Sequence, residues 1–306
     1  MLYQLSYTPA GGSASIRCAA PWQGAAHAAR VKPRIVRKRR NSCFRRALLY
    51  LRPVHAPPPP QLPIDLLMAA YRSGIFPMAD SREDPDVYWI EPRERAILPL
   101  EGFRCSRSLA RTLRRDRFAV TCNRAFADVI AACAAPRPEH PESWISERIM
   151  ASYRALHHAG HAHSIECWLD DRLVGGLYGV GFGRAFCGES MFSRTRDASK
   201  VALAWLVAAL RRAGVQLLDC QFMTGHLASL GAIEISQQRY VELLDAAQSG
   251  ADAPPLPEAF AALGEAAAGA GAAAAAGRAG TDEAGVDEAG ASSPGYFIAQ
   301  SLTQTS

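Results

Sequence analysis

The sequence predicts an α/β chain of the α+β kind, with a mixed β-sheet flanked by helices. Three observations predict it. The runs HSIECWL, RLVGGLYGVGF and RAFCGES follow one another as strands, after a helical segment and before a helix and a further strand, QLLDCQF. That order suits a sheet with helices packed on its faces. The middle of the chain is charge-balanced, with 22 basic and 22 acidic residues over 65–249. Finally, no apolar run reaches the roughly 18 residues that a membrane-spanning helix needs.

The elements follow in order. In PIDLLMAAYRS (63–73) Leu66, Leu67, Ala70 and Tyr71 recur at helical spacing, and Gly74 stops the helix. IFPMAD turns the chain, and DVYWIE (86–91) and RAILPL (95–100) read as short strands. SRSLARTLRR (106–115) is a helix with Ser106 as its cap, FAVTCN a strand, and AFADVIAACA a helix. PRPEHPESW (136–144) is a Pro-rich loop. Ser146 caps a helix over 146–159 that Gly160 ends. The three strands follow, with Asp170-Asp171 at their first turn. The helix over 197–213 has Asp197 at its start and arginines at its end, as the macrodipole favours. After QLLDCQF come a short helix at His226–Leu230 and the helix QQRYVELLDAAQ.

The termini differ from this core. Residues 1–64 carry eleven Lys+Arg and no acid, and residues 250–306 carry one Arg and seven acids. Residues 1–60 are expected to be a disordered basic, Pro-rich extension, open to three readings: a nucleic-acid-binding arm, a transit-like presequence, or translated sequence upstream of the true start. The last is preferred. Residues 249–306 are Ala/Gly-rich and acidic, with few anchors for a core, and read as disordered. Eight cysteines occur without a CxxC pair, which points to a reducing compartment.

Two short blocks carry chemistry. FCGESMFS (186–193) offers Glu189 in a Gly-Glu-Ser turn, and DCQ places Asp219 and Gln221 two apart. Side chains two apart on a strand share a face, so acid and amide are expected to point into one cleft, with Cys220 opposite. That pairing suits orienting an amine and a carbonyl. Glu189 capping its own turn and Asp219 binding a neighbouring N–H are the structural alternatives. Residues 104–117 hold six arginines and one acid, and Arg107, Arg111 and Arg114 share a helical face. Such a stripe suits phosphates; a solvated face is the alternative. Tyr71, Trp89, Trp144 and Tyr153 would stack bases or pack. The histidines of HHAGHAHS (157–164) lack a Cys or acid to complete a metal set, so no metal is expected. The glycines of GLYGVGFG (176–183) lie inside strands and not at a helix start, so close backbone approach is expected in place of a dinucleotide site.

YRSGIFPM, WISERIMASYRALHHAGHAHSIECW, LVGGLYGV, FCGESMFSR, ASKVAL, DCQ and HLASLGA together resemble the bacterial leucyl/phenylalanyl-tRNA–protein transferases, from about residue 63 to about 248. The resemblance implies a small N-terminal domain (61–95) and an acetyltransferase-like (GNAT) domain (96–248). It implies transfer of Leu or Phe, with Met a third donor, from tRNA to the α-amine of proteins beginning with Arg or Lys, which creates an N-end rule degradation signal. Asp219, Gln221 and Glu189 match the family's catalytic motifs. The resemblance implies that Asp219 hydrogen-bonds or takes a proton from Gln221 or the amine. It implies that Gln221 orients the amine and relays its proton, unless the terminal adenosine's own hydroxyl does so, and that Glu189 recognises the acceptor's basic N-terminal side chain or its amine. The aminoacyl pocket falls on Leu177, Phe186, Leu203, Leu206, Leu210 and Leu218. Leu206 and Leu210 stand where the family has Phe, which implies a wider cavity. Contacts to the tRNA 3′ end fall on Arg107, Arg111, Arg114, Trp144, Tyr153 and Tyr71, and Met78 replaces a Trp. The ester is already activated, so no cofactor is implied. A cytoplasmic monomer with no membrane or DNA partner is the expectation.

Two rivals have distinct signatures. A coenzyme A-dependent acyltransferase needs a Gly-rich turn entering a helix, which RDASK does not supply. A non-catalytic RNA-binding module leaves Glu189, Asp219 and Gln221 without a task.

Overall fold

The computed structural model describes residues 2–3, 61–136, 142–278 and 293–303. Apart from Leu2–Tyr3, the readings of residues 1–60 lie outside the described residues, as does most of the Pro-rich loop.

A seven-stranded sheet forms the centre. Its order is β10 (Ile233–Ser236), β4 (Glu94–Ile97), β9 (Leu217–Gln221), β8 (Ala185–Ser193), β7 (Arg172–Phe182), β6 (Ala162–Leu169) and β5 (Ala119–Cys122). Only β8 and β9 run parallel, joined through helix α5 (Ala198–Arg212) as a parallel pair requires. The mixed, helix-flanked sheet is the predicted one. A second sheet joins β1 (Leu2–Tyr3), β3 (Tyr88–Ile90) and β2 (Phe76–Met78).

Strand alternation sends residues to two cores. Leu217, Cys187 and Tyr178 face one layer with α1 (Ile64–Arg72), α3 (Phe126–Ala134), α4 (Glu147–His158) and α7 (Gln237–Gln248). Leu218, Phe186 and Leu177 face the other, with α5 and α2 (Arg107–Arg114). Ser106 and Ser146 cap α2 and α4 through their hydroxyls, as expected. The strand glycines do allow close approach. A Cβ on Gly179 would lie 2.3 Å from the Cys187 carbonyl oxygen, and one on Gly175 would lie 2.5 Å from the Ala198 methyl.

The expectation of disorder for 249–306 is corrected for the described part of that segment; residues 279–292 and 304–306 lie outside the described residues. Leu256–Arg278 and Pro294–Thr303 are helices, α8 and α9 after the short α6 (Gly225–Ser229), and they complete the second apolar layer. Leu256, Ala259 and Leu263 of α8 and Ile298, Ala299 and Leu302 of α9 are buried. Trp205 packs on Phe260 with ring centroids 5.3 Å apart. Their partner is α5, where 12 of 15 residues are buried. A helix apolar all round needs cover on its outer side as well. Low complexity hid the stripe that supplies it. Three short strands were also not read as strands: β1, in the segment expected to be disordered, β2, which contains Pro77, and the edge strand β10.

Candidate active site

Two β-bulges build the site. Tyr178 pairs with Ser190 and Gly179 with Gly188, which leaves Glu189 as the extra residue of β8. Ala96 pairs with Gln221 and Ile97 with Asp219, which leaves Cys220 as the extra residue of β9. Bulges bend a strand and re-aim its side chains. The parallel pairing of β8 with β9 ends at Cys187 and Asp219. Past that point lies a cavity of about 880 Å³, lined by both Glu189 and Gln221.

The Glu189 carboxylate is surrounded by donors. Its Oε1 accepts from the Tyr71 hydroxyl at 2.7 Å and from Gln221 Nε2 at 2.9 Å, and its Oε2 accepts from the Tyr153 hydroxyl at 2.9 Å. The Tyr71 and Tyr153 hydroxyls also meet each other, and since each carries one proton, whichever donates to the other gives up its bond to Glu189 while it does so. Burial pushes the Glu189 pKa up to about 7; the two tyrosines pull against that shift, Asp219 adds to it and Arg95 opposes it. The tyrosines themselves are raised, chiefly by burial and then by the Glu189 charge. They stay protonated and donate.

Asp219 is not where strand alternation put it. It is fully buried and does not line the cavity. Arg95 grips it with two bonds, Nε to Oδ1 at 2.9 Å and Nη2 to Oδ2 at 2.6 Å, and the Tyr240 hydroxyl donates to Oδ2 at 3.1 Å. Its Oδ1 also accepts the Gln221 N–H at 2.8 Å. That bond closes an Asx turn at Cys220, and the Phe222 N–H donates to the Cys220 carbonyl at 2.7 Å across Gln221, whose φ of +60° lies in the left-handed region. The shared-face expectation therefore fails for a physical reason: the bulge at Cys220 breaks the period of two. Gln221 enters the cavity while Asp219 holds it from behind. Cys220 does turn away from Asp219, into the second apolar layer, and lines the cavity.

Of the expected pocket residues, Leu177, Leu203, Leu206 and Leu218 line the cavity, whereas Phe186 and Leu210 are buried in the same apolar layer without lining it. Trp144, Met78, Phe76 and Phe222 also line the cavity, and Phe222 is 46% exposed. Tyr71 and Tyr153 are corrected: they are 1% and 0% exposed, so their rings offer no stacking face, and they serve Glu189 instead. Arg107, Arg111 and Arg114 are exposed and line a separate depression of about 400 Å³ with Arg115.

Sequence reasoning missed Arg95, Tyr240 and Tyr178. The signal for Arg95 was one cation opening an apolar strand run, RAILPL. Tyr178 lines the cavity with its hydroxyl buried and without a hydrogen-bond partner, and His226 Nε2 is in the same condition. Among the described residues no group of three His, Cys, Asp or Glu side chains could hold a metal. His157 stacks on Phe126, and His163 bonds Asn123 with its pKa lowered to about 4, by burial first and then by His157 and His161.

Comparison with known proteins identifies the family. The family described as leucyl/phenylalanyl-tRNA protein transferase matches residues 97–245, and its N-terminal domain matches residues 61–93. A leucyl/phenylalanyl-tRNA–protein transferase of Novosphingobium aromaticivorans is 63% identical, over 81% of this chain and 98% of its own length. Those of Rhizorhabdus wittichii and Zymomonas mobilis are 65% and 60% identical, each over 60% of this chain and over 74% and 69% of their own lengths. On these matches the chain belongs to the leucyl/phenylalanyl-tRNA protein transferase family.

Proposed function

We propose that this protein transfers Leu or Phe from aminoacyl-tRNA to the α-amine of proteins beginning with Arg or Lys. The observation that carries the reading is the pairing of Glu189 and Gln221 at an apolar cavity of about 880 Å³. Leu177, Leu203, Leu206 and Leu218 offer the donor side chain a wall without polar groups, which sorts by shape. The amine must be neutral to attack, and its ordinary pKa of about 7.7–8.0 lies close to the raised value of Glu189. In the reaction the amine nitrogen bonds to the ester carbonyl carbon. The bond from that carbon to the ribose oxygen breaks, the amine gives up a proton, and the ribose oxygen gains one. Glu189 takes the proton and Gln221 orients amine and carbonyl, so much of the rate comes from holding the reactants in line. Asp219 positions Gln221 and takes no proton, since Arg95, Tyr240 and the Gln221 N–H occupy its oxygens.

The arginines of α2 hold tRNA phosphates, and Trp144 contacts the 3′ end. The division near residue 95 into a small N-terminal domain and an acetyltransferase-like domain belongs to the same reading, supported by the separate matches to 61–93 and 97–245. The enzyme acts as a cytoplasmic monomer, and no helix among the described residues is long and apolar enough to cross a membrane.

Transfer of labelled leucine from charged tRNA to a peptide beginning with Arg tests the reading. Incorporation is expected there and not into a peptide beginning with Glu. Coenzyme A binding with no incorporation would favour an acyl-coenzyme A transferase instead.

A further inference from the structure

We propose that Arg95 is a positioning residue for transfer: it fixes Asp219 on β9 and thereby sets Gln221 against Glu189. The proposal deepens the functional reading above and rests on it. Arg95 lies between the two family matches, which end at residue 93 and resume at 97. Its side chain joins what those two segments contribute. From the N-terminal segment, the Gly74 carbonyl accepts from Nη1 at 2.9 Å, and Phe76 lies 4.8 Å below the guanidinium. From the larger segment come both oxygens of Asp219, the Tyr240 hydroxyl at 3.2 Å from Nη2, and the Tyr240 ring at 4.3 Å. Phe76 lines the cavity, and Gly74 follows the helix whose Tyr71 donates to Glu189.

The geometry gives this cluster its purpose. Gln221 sits at φ +60°, a backbone region that a residue with a Cβ seldom occupies. Two bonds hold it there: from its N–H to Asp219 Oδ1 at 2.8 Å, the oxygen that Arg95 Nε also grips, and from the Phe222 N–H to the Cys220 carbonyl at 2.7 Å. Loss of the Arg95 grip frees Asp219 to turn and removes one of the two bonds that fix the Gln221 backbone, which lets its side chain drift from Glu189. The bond from Gln221 to Glu189 goes with it. A guanidinium fork makes the two-point hold, which an ammonium cannot copy.

Arg95→Lys tests this, because it keeps the charge. Turnover per molecule competent to bind aminoacyl-tRNA is expected to fall at least tenfold, with KM for that substrate within about twofold of wild type. A purely structural strut would lower the yield of folded protein and leave turnover per competent molecule intact, and that result overturns the proposal. A second readout needs no activity. The side-chain amide signals of Gln221, identified by their loss in Gln221→Glu, are expected to shift toward free-amide positions in Arg95→Lys; unchanged signals overturn the proposal. If Arg95→Lys fails to fold, Tyr240→Phe is judged on the same two measurements. Absence of transfer by the wild-type protein would count against the functional reading alone, since the amide signals test Arg95 separately.

Discussion

Glu189 concentrates the chemistry in one side chain. Its carboxyl is buried and its pKa is raised to about 7, so ionised Glu189 opposes folding even as the proposed transfer calls for it. A carboxyl whose folded pKa is raised contributes stability that is fully present below its unfolded value, near 4.3, and lost as pH climbs through about 7. Glu189→Gln is therefore expected to melt higher than wild type at pH 8 and to lose that advantage at pH 4, as thermal unfolding would show. The same variant should transfer about 10²–10⁴-fold more slowly, the usual contribution of a positioned acid or base. Glu189 and Gln221 were legible in the sequence because carboxylate and amide stood in distinctive motifs. The orientation of Asp219 was not, because an inserted bulge residue shifts the side-chain phase without any mark in local composition.

The bulge on β8 that presents Glu189 depends on the neighbouring strand lying close. Gly179 of β7 permits this, since a Cβ there would strike the Cys187 carbonyl oxygen at 2.3 Å and the Phe186 ring at 2.5 Å. Gly179→Ala is expected to cost about 1–3 kcal/mol, as overpacking does, with a lower denaturant midpoint at unchanged slope. The helices and long strands were legible because cap, stop and period agreed: Ser146 accepts the Ile149 N–H, Gly160 has φ +81°, and the apolar face of α4 lies between them. β2 and β10 escaped notice because three or four residues hold too little periodicity, and Pro77 suggests a turn. The burial of Tyr71 and Tyr153 followed from the same shortage of signal. Helical spacing places them on inner faces, but only the tertiary fold reveals that those faces meet at Glu189.

Across the whole molecule, charge and apolar cover are arranged separately. Arg107, Arg111 and Arg114 stand exposed over one depression, away from the neutral core. Replacing Arg111 with Ala is expected to weaken aminoacyl-tRNA binding and to reduce its logarithmic salt slope by about 0.7–0.9, the share of one phosphate contact. The C-terminal helices are cover. Ending the chain at residue 250 removes α8 and α9 and exposes the outer side of α5, including Trp205. With each lost apolar side chain contributing about 1.5–3 kcal/mol, the melting temperature should drop by about 10 °C or more. Turnover of the folded fraction at low temperature and saturating aminoacyl-tRNA should persist, since neither helix lines the main cavity, while tRNA binding should weaken, since Thr303 of α9 lines the arginine depression. The most direct test of the account is single-turnover transfer of leucine from charged tRNA to an Arg-initiated peptide, by wild type and Glu189→Gln at equal tRNA occupancy. The account predicts rapid transfer by wild type, rising with pH through about 7, and a rate at least about 100-fold lower in the variant at pH 8, with the gap narrowing as pH falls below about 7. Equal rates, or no transfer by wild type, would contradict it.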